Sequence, residues 1–214
     1  MENDGVVLLH GICRTRRSMV GITRFLERGG MSALNISYPS TKYPLQKLVE
    51  IVHPRIEAFA EATQGKVHFV GYSMGGLLIR AYLAQHRPAK LGRVVMLGTP
   101  NQGSEVADFM KDKRIYRWIY GVAGQQLVTD QSDFAHHFGQ VDYELGVIAG
   151  SRSLDPISSY IIRKPSDGKV SIESTRVEGM RDHVVIPVTH TFFPSSKSAQ
   201  KQTLEFLKEG RFAQ

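Results

Sequence analysis

A serine set between two glycines follows an apolar run in the first half of the chain. The segment Gly71-Tyr72-Ser73-Met74-Gly75 has the Gly-x-Ser-x-Gly form of a nucleophile elbow, where a strand turns sharply into a helix and the strained serine exposes its hydroxyl. Glycine suits both flanking positions because a Cβ there would collide with the neighbouring strand and helix. Ser73 is therefore the candidate nucleophile.

A serine nucleophile needs a base and a carboxylate that orients the base. We choose His190 as the base because it lies between the last predicted strand and the closing helix. The carboxylate predicted to orient it is Asp167, in the turn Ser166-Asp167-Gly168, and Asp155 is the runner-up because it lies nearer a strand end. We expect surface or structural roles for the histidines that fall within predicted strands, helices or an insertion, which are His53, His86, His136, His137 and His183.

A tetrahedral intermediate needs two preset hydrogen-bond donors for its oxyanion. The backbone N–H of Met74, at the start of the helix after the serine, is one candidate. The other should come from the loop after the first strand, where Ile12 is the candidate donor and His10 and Gly11 support the loop.

Strands alternate with helices along the chain. Apolar runs predict strands at Gly5–Leu9, Ala33–Tyr38, Val67–Val70, Arg93–Gly98, Leu145–Gly150 and Arg181–Pro187. Helical periodicity predicts helices from Ser18 to Gly29, around Leu45 to Phe59 with a kink at Pro54, from Leu77 towards Pro88, and around Ala199 to Leu207. This alternation predicts an α/β fold, a mainly parallel sheet with helices on both faces. His10, Ser73 and His190 each follow a strand, where sites form in such sheets.

The chain of 214 residues fits a single domain over residues 1–214. Residues 111–140 lack clear periodicity and mix basic with aromatic residues, so we predict a small cap insertion there that suits esters of short to medium acyl chains. Its apolar side chains either form a wall for the substrate or only pack the insertion onto the body; they are Ile115, Tyr116, Trp118, Ile119 and Tyr120.

Composition narrows the function classes. A single cysteine, Cys13, allows no internal disulfide and no cysteine-based metal site. The formal charge of +7 is spread over predicted helices and loops without a basic run interleaved with aromatics, so we expect dispersed charge and no nucleic-acid partner. Attraction to anionic substrates or to a membrane surface is the alternative role for this charge. The sequence shows no basic leader with a long apolar segment and no bilayer-length stretch, so we expect a soluble, cytoplasmic protein with no stable membrane insertion. The oligomeric state is left open.

These residues together resemble the α/β-hydrolase superfamily, and more closely its small bacterial lipase-like esterases. The resemblance is carried by His10-Gly11-Ile12, the elbow at Ser73, the segment from Gly98 to Ser104, and Asp167-Gly168 with His190, in the chain order Ser, Asp, His. It implies a serine hydrolase that cleaves carboxylic esters of a small or lipid-like substrate through an acyl-enzyme, with no cofactor and no metal. Acyl transfer, thioester hydrolysis and amide hydrolysis would use the same residues. An inactive binding module on the same fold is the non-enzymatic alternative.

Overall fold

The computed structural model describes residues 3–103, 138–154 and 160–213. Its described strands form one sheet: β1 (Gly5–Leu9), β2 (Ser32–Ile36), β3 (Val67–Tyr72), β4 (Leu91–Leu97), β5 (Leu145–Gly150) and β6 (Asp182–Ile186). The order across the sheet is β2-β1-β3-β4-β5-β6, and every neighbouring pair is parallel. The predicted α/β class with a mainly parallel sheet is confirmed.

The central strands are apolar throughout because they are covered on both faces. Every residue of β1, β3 and β5 is buried, whereas the edge strands β2 and β6 are only partly buried. Side chains alternate between the two faces of each strand. In β1, Val7 and Leu9 belong to the core on one face, and Val6 and Leu8 belong to the core on the other.

Helices cover both faces of the sheet. They are α1 (Val20–Arg28), α2 (Leu45–Ala62), α3 (Met74–Gln85) and α4 (Lys197–Glu209), with two 3₁₀ helices, η1 (Arg16–Met19) and η2 (His190–Ser195). The core beneath α2 and α3 includes Val52 and Leu77, and the core beneath α1 and α4 includes Leu26 and Phe206. Among the described residues, no helix is both long and apolar enough to cross a bilayer.

Element boundaries differ from the sequence prediction in small ways. Helix α2 continues to Ala62, two turns beyond Pro54. The helix predicted from Ser18 begins as the 3₁₀ helix η1, capped by the Thr15 hydroxyl, and becomes α-helical at Val20. The predicted cap insertion at 111–140 lies outside the described residues, apart from its last three positions.

The parallel arrangement brings the carboxyl ends of all described strands to one edge of the sheet. The loop of His10 to Ile12 follows β1, Ser73 follows β3, and the turn around Thr99 follows β4. His190 follows β6, which is two strands away from β4. The candidate residues therefore meet at this edge.

Candidate active site

Ser73 occupies the sharp turn between β3 and α3. Its backbone angles are φ 54° and ψ −124°, a conformation that side-chain-bearing residues rarely adopt. Three hydrogen bonds hold it: the Ser73 N–H donates to the Leu97 carbonyl at 2.8 Å, and the Ser73 carbonyl accepts from the Gly76 N–H and the Thr99 hydroxyl, each at 3.0 Å. The predicted nucleophile therefore has the strained backbone of an elbow.

Close backbone packing explains the glycines around the serine. A Cβ at Gly71 would lie 2.5 Å from the Gly76 backbone, and one at Gly75 would lie 2.2 Å from the Leu9 carbonyl oxygen of β1. The steric reason predicted for these two positions is therefore found. Gly76 has its own constraint, which the motif does not reveal, because a Cβ there would lie 2.1 Å from the Thr99 hydroxyl.

The structure brings Ser73, His190 and Asp167 into one hydrogen-bonded chain. His190 Nε2 lies 3.0 Å from the Ser73 hydroxyl, and His190 Nδ1 lies 2.7 Å from Asp167 Oδ2. Because a carboxylate only accepts, Nδ1 donates to Asp167, which leaves Nε2 free to accept the serine proton. Ser73 is 8% exposed and Asp167 is 2% exposed, so both ends of this hydrogen-bonded triad are largely shielded from bulk water.

The turn of Asp167 holds the carboxylate in place. Its Oδ1 accepts from the N–H groups of Lys169 and Val170, each at 2.9 Å, while Oδ2 remains directed at His190. Gly168 has a φ of +94°, which completes the turn. The His190 N–H also donates to the Asp167 carbonyl at 2.9 Å, which ties the two segments together. The runner-up, Asp155, lies outside the described residues.

Two glycines at strand ends make room for this carboxylate. A Cβ at Gly98 would lie 2.9 Å from Asp167 Oδ2, and one at Gly150 would lie 2.7 Å from the Asp167 Cβ. Gly98 follows β4 and Gly150 ends β5, so the acid sits over the carboxyl ends of two central strands. Neither glycine could be assigned this role from the sequence, because the contact is with Asp167, which is distant from both in the chain.

Tyr72, next to the nucleophile, supports the base. Its hydroxyl donates to the His190 carbonyl at 2.9 Å, and the two rings lie 5.3 Å apart between centroids. Burial raises the pKa of Tyr72 well above its usual value, so the hydroxyl stays a neutral donor. The sequence shows a tyrosine beside the nucleophile, but it does not show that the tyrosine hydroxyl bonds His190, 118 positions further along the chain.

The two predicted oxyanion donors start from suitable positions. Met74 is the first residue of α3, where an N–H has no acceptor within the helix and the helix dipole favours negative charge. Ile12 lies in a turn closed by the Arg14 N–H donating to the Gly11 carbonyl at 3.3 Å, with Cys13 at φ 55°. A Cβ at Gly11 would lie 3.2 Å from the Ser73 Cβ, so the loop passes close to the nucleophile.

His10 fixes the orientation of this loop. Its Nδ1 donates to the Gly11 carbonyl at 2.8 Å, and its Nε2 accepts from the Tyr38 N–H at 3.3 Å. Because C=O and N–H point in opposite directions across a trans peptide, a Gly11 carbonyl held by His10 directs the Ile12 N–H the other way. Burial lowers the pKa of His10, which keeps the ring neutral for these two bonds.

Tyr38 completes this support and was not predicted as part of the site. Its ring stacks on His10 at 4.2 Å between centroids, and its hydroxyl donates to the His10 carbonyl. Both rings are buried. The sequence identified Tyr38 only as the end of a strand, and the structure places it just past β2, beside the end of β1.

Several other histidines have structural partners elsewhere. His183 Nε2 lies 3.0 Å from the Thr175 hydroxyl, and burial, with the nearby Arg176, lowers its pKa to about 4. His53 stacks on His86 at 3.9 Å between centroids. These positions agree with the structural roles expected for them, whereas His136 and His137 lie outside the described residues.

A family model described as palmitoyl protein thioesterase matches residues 5–212, which is almost the whole chain. The chain belongs to the palmitoyl protein thioesterase family. Membership of this family, together with the fold, confirms the predicted resemblance to lipase-like α/β-hydrolases.

Solved structures share the fold of this member of the palmitoyl protein thioesterase family. The mature Bacillus licheniformis lipase BlEst2 matches with a TM-score of 0.75 and 19% identity, over 96% of this chain and 91% of that one. An esterase from Exiguobacterium antarcticum matches with a TM-score of 0.66 and 14% identity, over 96% of this chain and 92% of that one. At these identities the likeness shows the α/β-hydrolase fold alone.

Curated relatives of this palmitoyl protein thioesterase family member include two proteins named triacylglycerol lipase. The one from Pseudarthrobacter phenanthrenivorans is 31% identical over 116 residues, which cover 50% of this chain and 36% of that protein. The one from Burkholderia plantarii is also 31% identical over 116 residues, covering 50% and 32%. The match thus spans about a third of the length of these relatives.

Proposed function

We propose that this protein is a serine hydrolase that cleaves carboxylic esters through an acyl-enzyme. The observation that carries the proposal is the continuous chain from Asp167 through His190 to the Ser73 hydroxyl, with contacts of 2.7 and 3.0 Å. An inactive binding module would have no need of such an aligned chain. Family membership and the lipase and esterase neighbours support the same class of chemistry.

Acylation begins when His190 Nε2 takes the Ser73 proton while the serine oxygen attacks the ester carbonyl carbon. The carbonyl oxygen becomes an oxyanion, and the Ile12 and Met74 N–H groups are the proposed donors to it. His190 then gives the proton to the departing alcohol oxygen as the C–O bond breaks, which leaves the acyl group on Ser73. Water, deprotonated by His190, releases the acid in the reverse sequence.

The carboxylate of Asp167 steadies the positive charge that His190 carries between these proton transfers. It can do so because its second oxygen is already held by two backbone N–H groups and cannot rotate away from the ring. Both oxygens therefore keep their partners throughout the cycle, and little reorganisation is needed when the imidazolium forms.

Thioester hydrolysis is the second candidate activity, favoured by the match of almost the whole chain to the palmitoyl protein thioesterase family. The same groups would act, with a thiolate leaving in place of an alcohol. We propose short to medium acyl chains for the ester activity, on the basis of the small predicted cap at 111–140.

The test combines labelling with kinetics. A fluorophosphonate probe followed by peptide mapping should modify Ser73, and Ser73→Ala should abolish both labelling and hydrolysis of p-nitrophenyl butyrate. Ser195→Ala is the matched control, because in the described structure its hydroxyl donates to the Phe192 carbonyl within η2 and it should be dispensable. Labelling of another serine, or full activity of Ser73→Ala, would refute the mechanism. Paired oxygen and sulfur esters of the same acyl chain separate esterase from thioesterase.

A further inference from the structure

Three exposed arginines follow the proposed oxyanion loop: Arg14, Arg16 and Arg17, here called the basic rim. Within the described ranges none of them pairs with an Asp or Glu, since the ion pairs found there join other side chains and the first turn of η1 contains no acid. These three positive charges within four positions therefore face solvent with no acidic partner among the described residues.

The basic rim is part of a wider charge asymmetry. The described connections after the carboxyl ends of strands, residues 10–18, 37–44, 98–103, 151–154, 160–175 and 187–196, contain eight Lys or Arg and two Asp or Glu. The described connections at the opposite edge, residues 29–31, 63–66, 86–90, 138–144 and 176–181, contain five Lys or Arg and three Asp or Glu. The described connections therefore carry the larger net positive charge at the edge that holds Ser73, which favours anionic groups there.

Contacts place the basic rim on the His190 side of the site. Helix η1, which begins at Arg16, packs against η2, which begins at His190. Burial raises the pKa of Tyr72, and the guanidinium of Arg14 lies near enough to that hydroxyl to oppose the rise. The same hydroxyl donates to the His190 carbonyl at 2.9 Å. The rim, Tyr72 and His190 are thus neighbours.

The basic rim lies on the His190 side of Ser73, and this position indicates which part of the substrate the arginines would contact. In the proposed mechanism His190 delivers its proton to the departing oxygen, so the alcohol part of the substrate lies on the His190 side of the serine. Asp167, the acid bonded to His190, is 2% exposed, so an anionic group of the substrate would not touch its carboxylate. An anionic group on the alcohol part would therefore meet unpaired guanidinium groups.

We propose that the basic rim binds a phosphate in the alcohol part of the substrate, so that the preferred esters are anionic ones such as phosphate-bearing lipids. The proposal rests on the ester-hydrolase function above and names its substrate class. Guanidinium suits phosphate because its planar array of N–H donors can bind two oxygens at once and stays charged at any working pH. Phe192, two residues after His190 in η2, is exposed and offers an apolar surface on that helix.

The experiment compares an anionic with a neutral ester in matched variants. Arg16→Gln/Arg17→Gln removes two rim charges whose side chains are not among the described hydrogen-bond or ion-pair partners of the triad side chains. Arg24→Gln/Arg28→Gln removes two exposed charges from α1 and serves as the control. Probes are monomeric dihexanoylphosphatidylglycerol, its zwitterionic phosphatidylcholine counterpart, and neutral p-nitrophenyl butyrate.

We expect kcat/KM for the phosphatidylglycerol to fall about tenfold in the rim variant, as loss of electrostatic attraction predicts, and added salt to lower the wild-type value in the same direction. Hydrolysis of p-nitrophenyl butyrate should be unchanged in both variants. An equal loss on the anionic and neutral esters, or an equal loss in the α1 control, would overturn the substrate assignment. If wild type cleaves none of the three esters, the proposed function itself fails.

Vesicles distinguish substrate recognition from surface attachment. If the rim variant cleaves monomeric phosphatidylglycerol as well as wild type does but no longer sediments with phosphatidylglycerol vesicles, the arginines bind a lipid surface rather than the substrate, and the proposal is wrong. Loss of monomer hydrolysis without any vesicle binding by wild type supports it.

Discussion

Replacing Asp167 with asparagine changes the chemistry of the proposed triad while keeping its shape. Asparagine can still accept the two turn N–H bonds at Oδ1, from Lys169 and Val170. Its amide then presents N–H₂ to His190 Nδ1, which must become an acceptor, and the proton moves to Nε2. An Nε2–H group facing Ser73 cannot take the serine proton. The variant is therefore folded but lacks a base.

The magnitude follows from this change of tautomer. Loss of a correctly oriented histidine costs about a thousandfold or more in kcat, equivalent to ~4 kcal/mol at 1.36 kcal/mol per factor of ten. KM should change little, because Asp167 is 2% exposed and bonds protein groups on both oxygens. Thermal unfolding should also change little, since the turn keeps its hydrogen bonds.

Steady-state hydrolysis of p-nitrophenyl butyrate measures kcat and KM, and circular dichroism checks the fold. Asp142→Asn is the matched control, because among the described residues this exposed carboxylate pairs with Arg87, away from the triad, and its loss should not affect kcat. Asp155→Asn tests the runner-up assignment directly. A larger loss of kcat in Asp155→Asn than in Asp167→Asn, with both proteins folded, would refute the reasoning.

Three further outcomes are expected. Tyr38→Phe should lower kcat with little change in KM, because the hydroxyl that anchors the His10 carbonyl supports the proposed oxyanion loop; unchanged kcat would contradict this role. Gly76→Ala should lower the midpoint of urea unfolding, because its Cβ would lie 2.1 Å from the Thr99 hydroxyl, and an unchanged midpoint would show that Thr99 can move. His183 has a folded pKa of about 4, below its unfolded value, so it contributes stability above about pH 6.5 that is lost as the pH falls towards 4. Urea unfolding across this range should show a shallower loss in His183→Gln than in wild type.

Local signals made the strands and the elbow predictable from the sequence. A strand buried on both faces must be apolar throughout, so β1, β3 and β5 could be recognised as continuous runs. The elbow could be recognised because its glycines are required by contacts with the next turn and the adjacent strand. His190 could also be predicted, because it follows the last strand and the carboxyl ends of parallel strands meet at one edge of the sheet. The choice of Asp167 as the third residue rests on the Asp-Gly turn that contains it and on the chain order Ser73, Asp167, His190.

The supporting residues could not be predicted, because their partners are far away in the chain. Tyr72 bonds His190 across 118 positions, and Tyr38 bonds His10 across 28. Gly98 and Gly150 look like ordinary strand ends until Asp167 is placed over them. Residue types and their spacing predict the local backbone conformation. These long-range contacts depend instead on which strand ends lie next to each other at the sheet edge. The groups that would react are therefore visible in the sequence, and the groups that hold them emerge only with the order β2-β1-β3-β4-β5-β6.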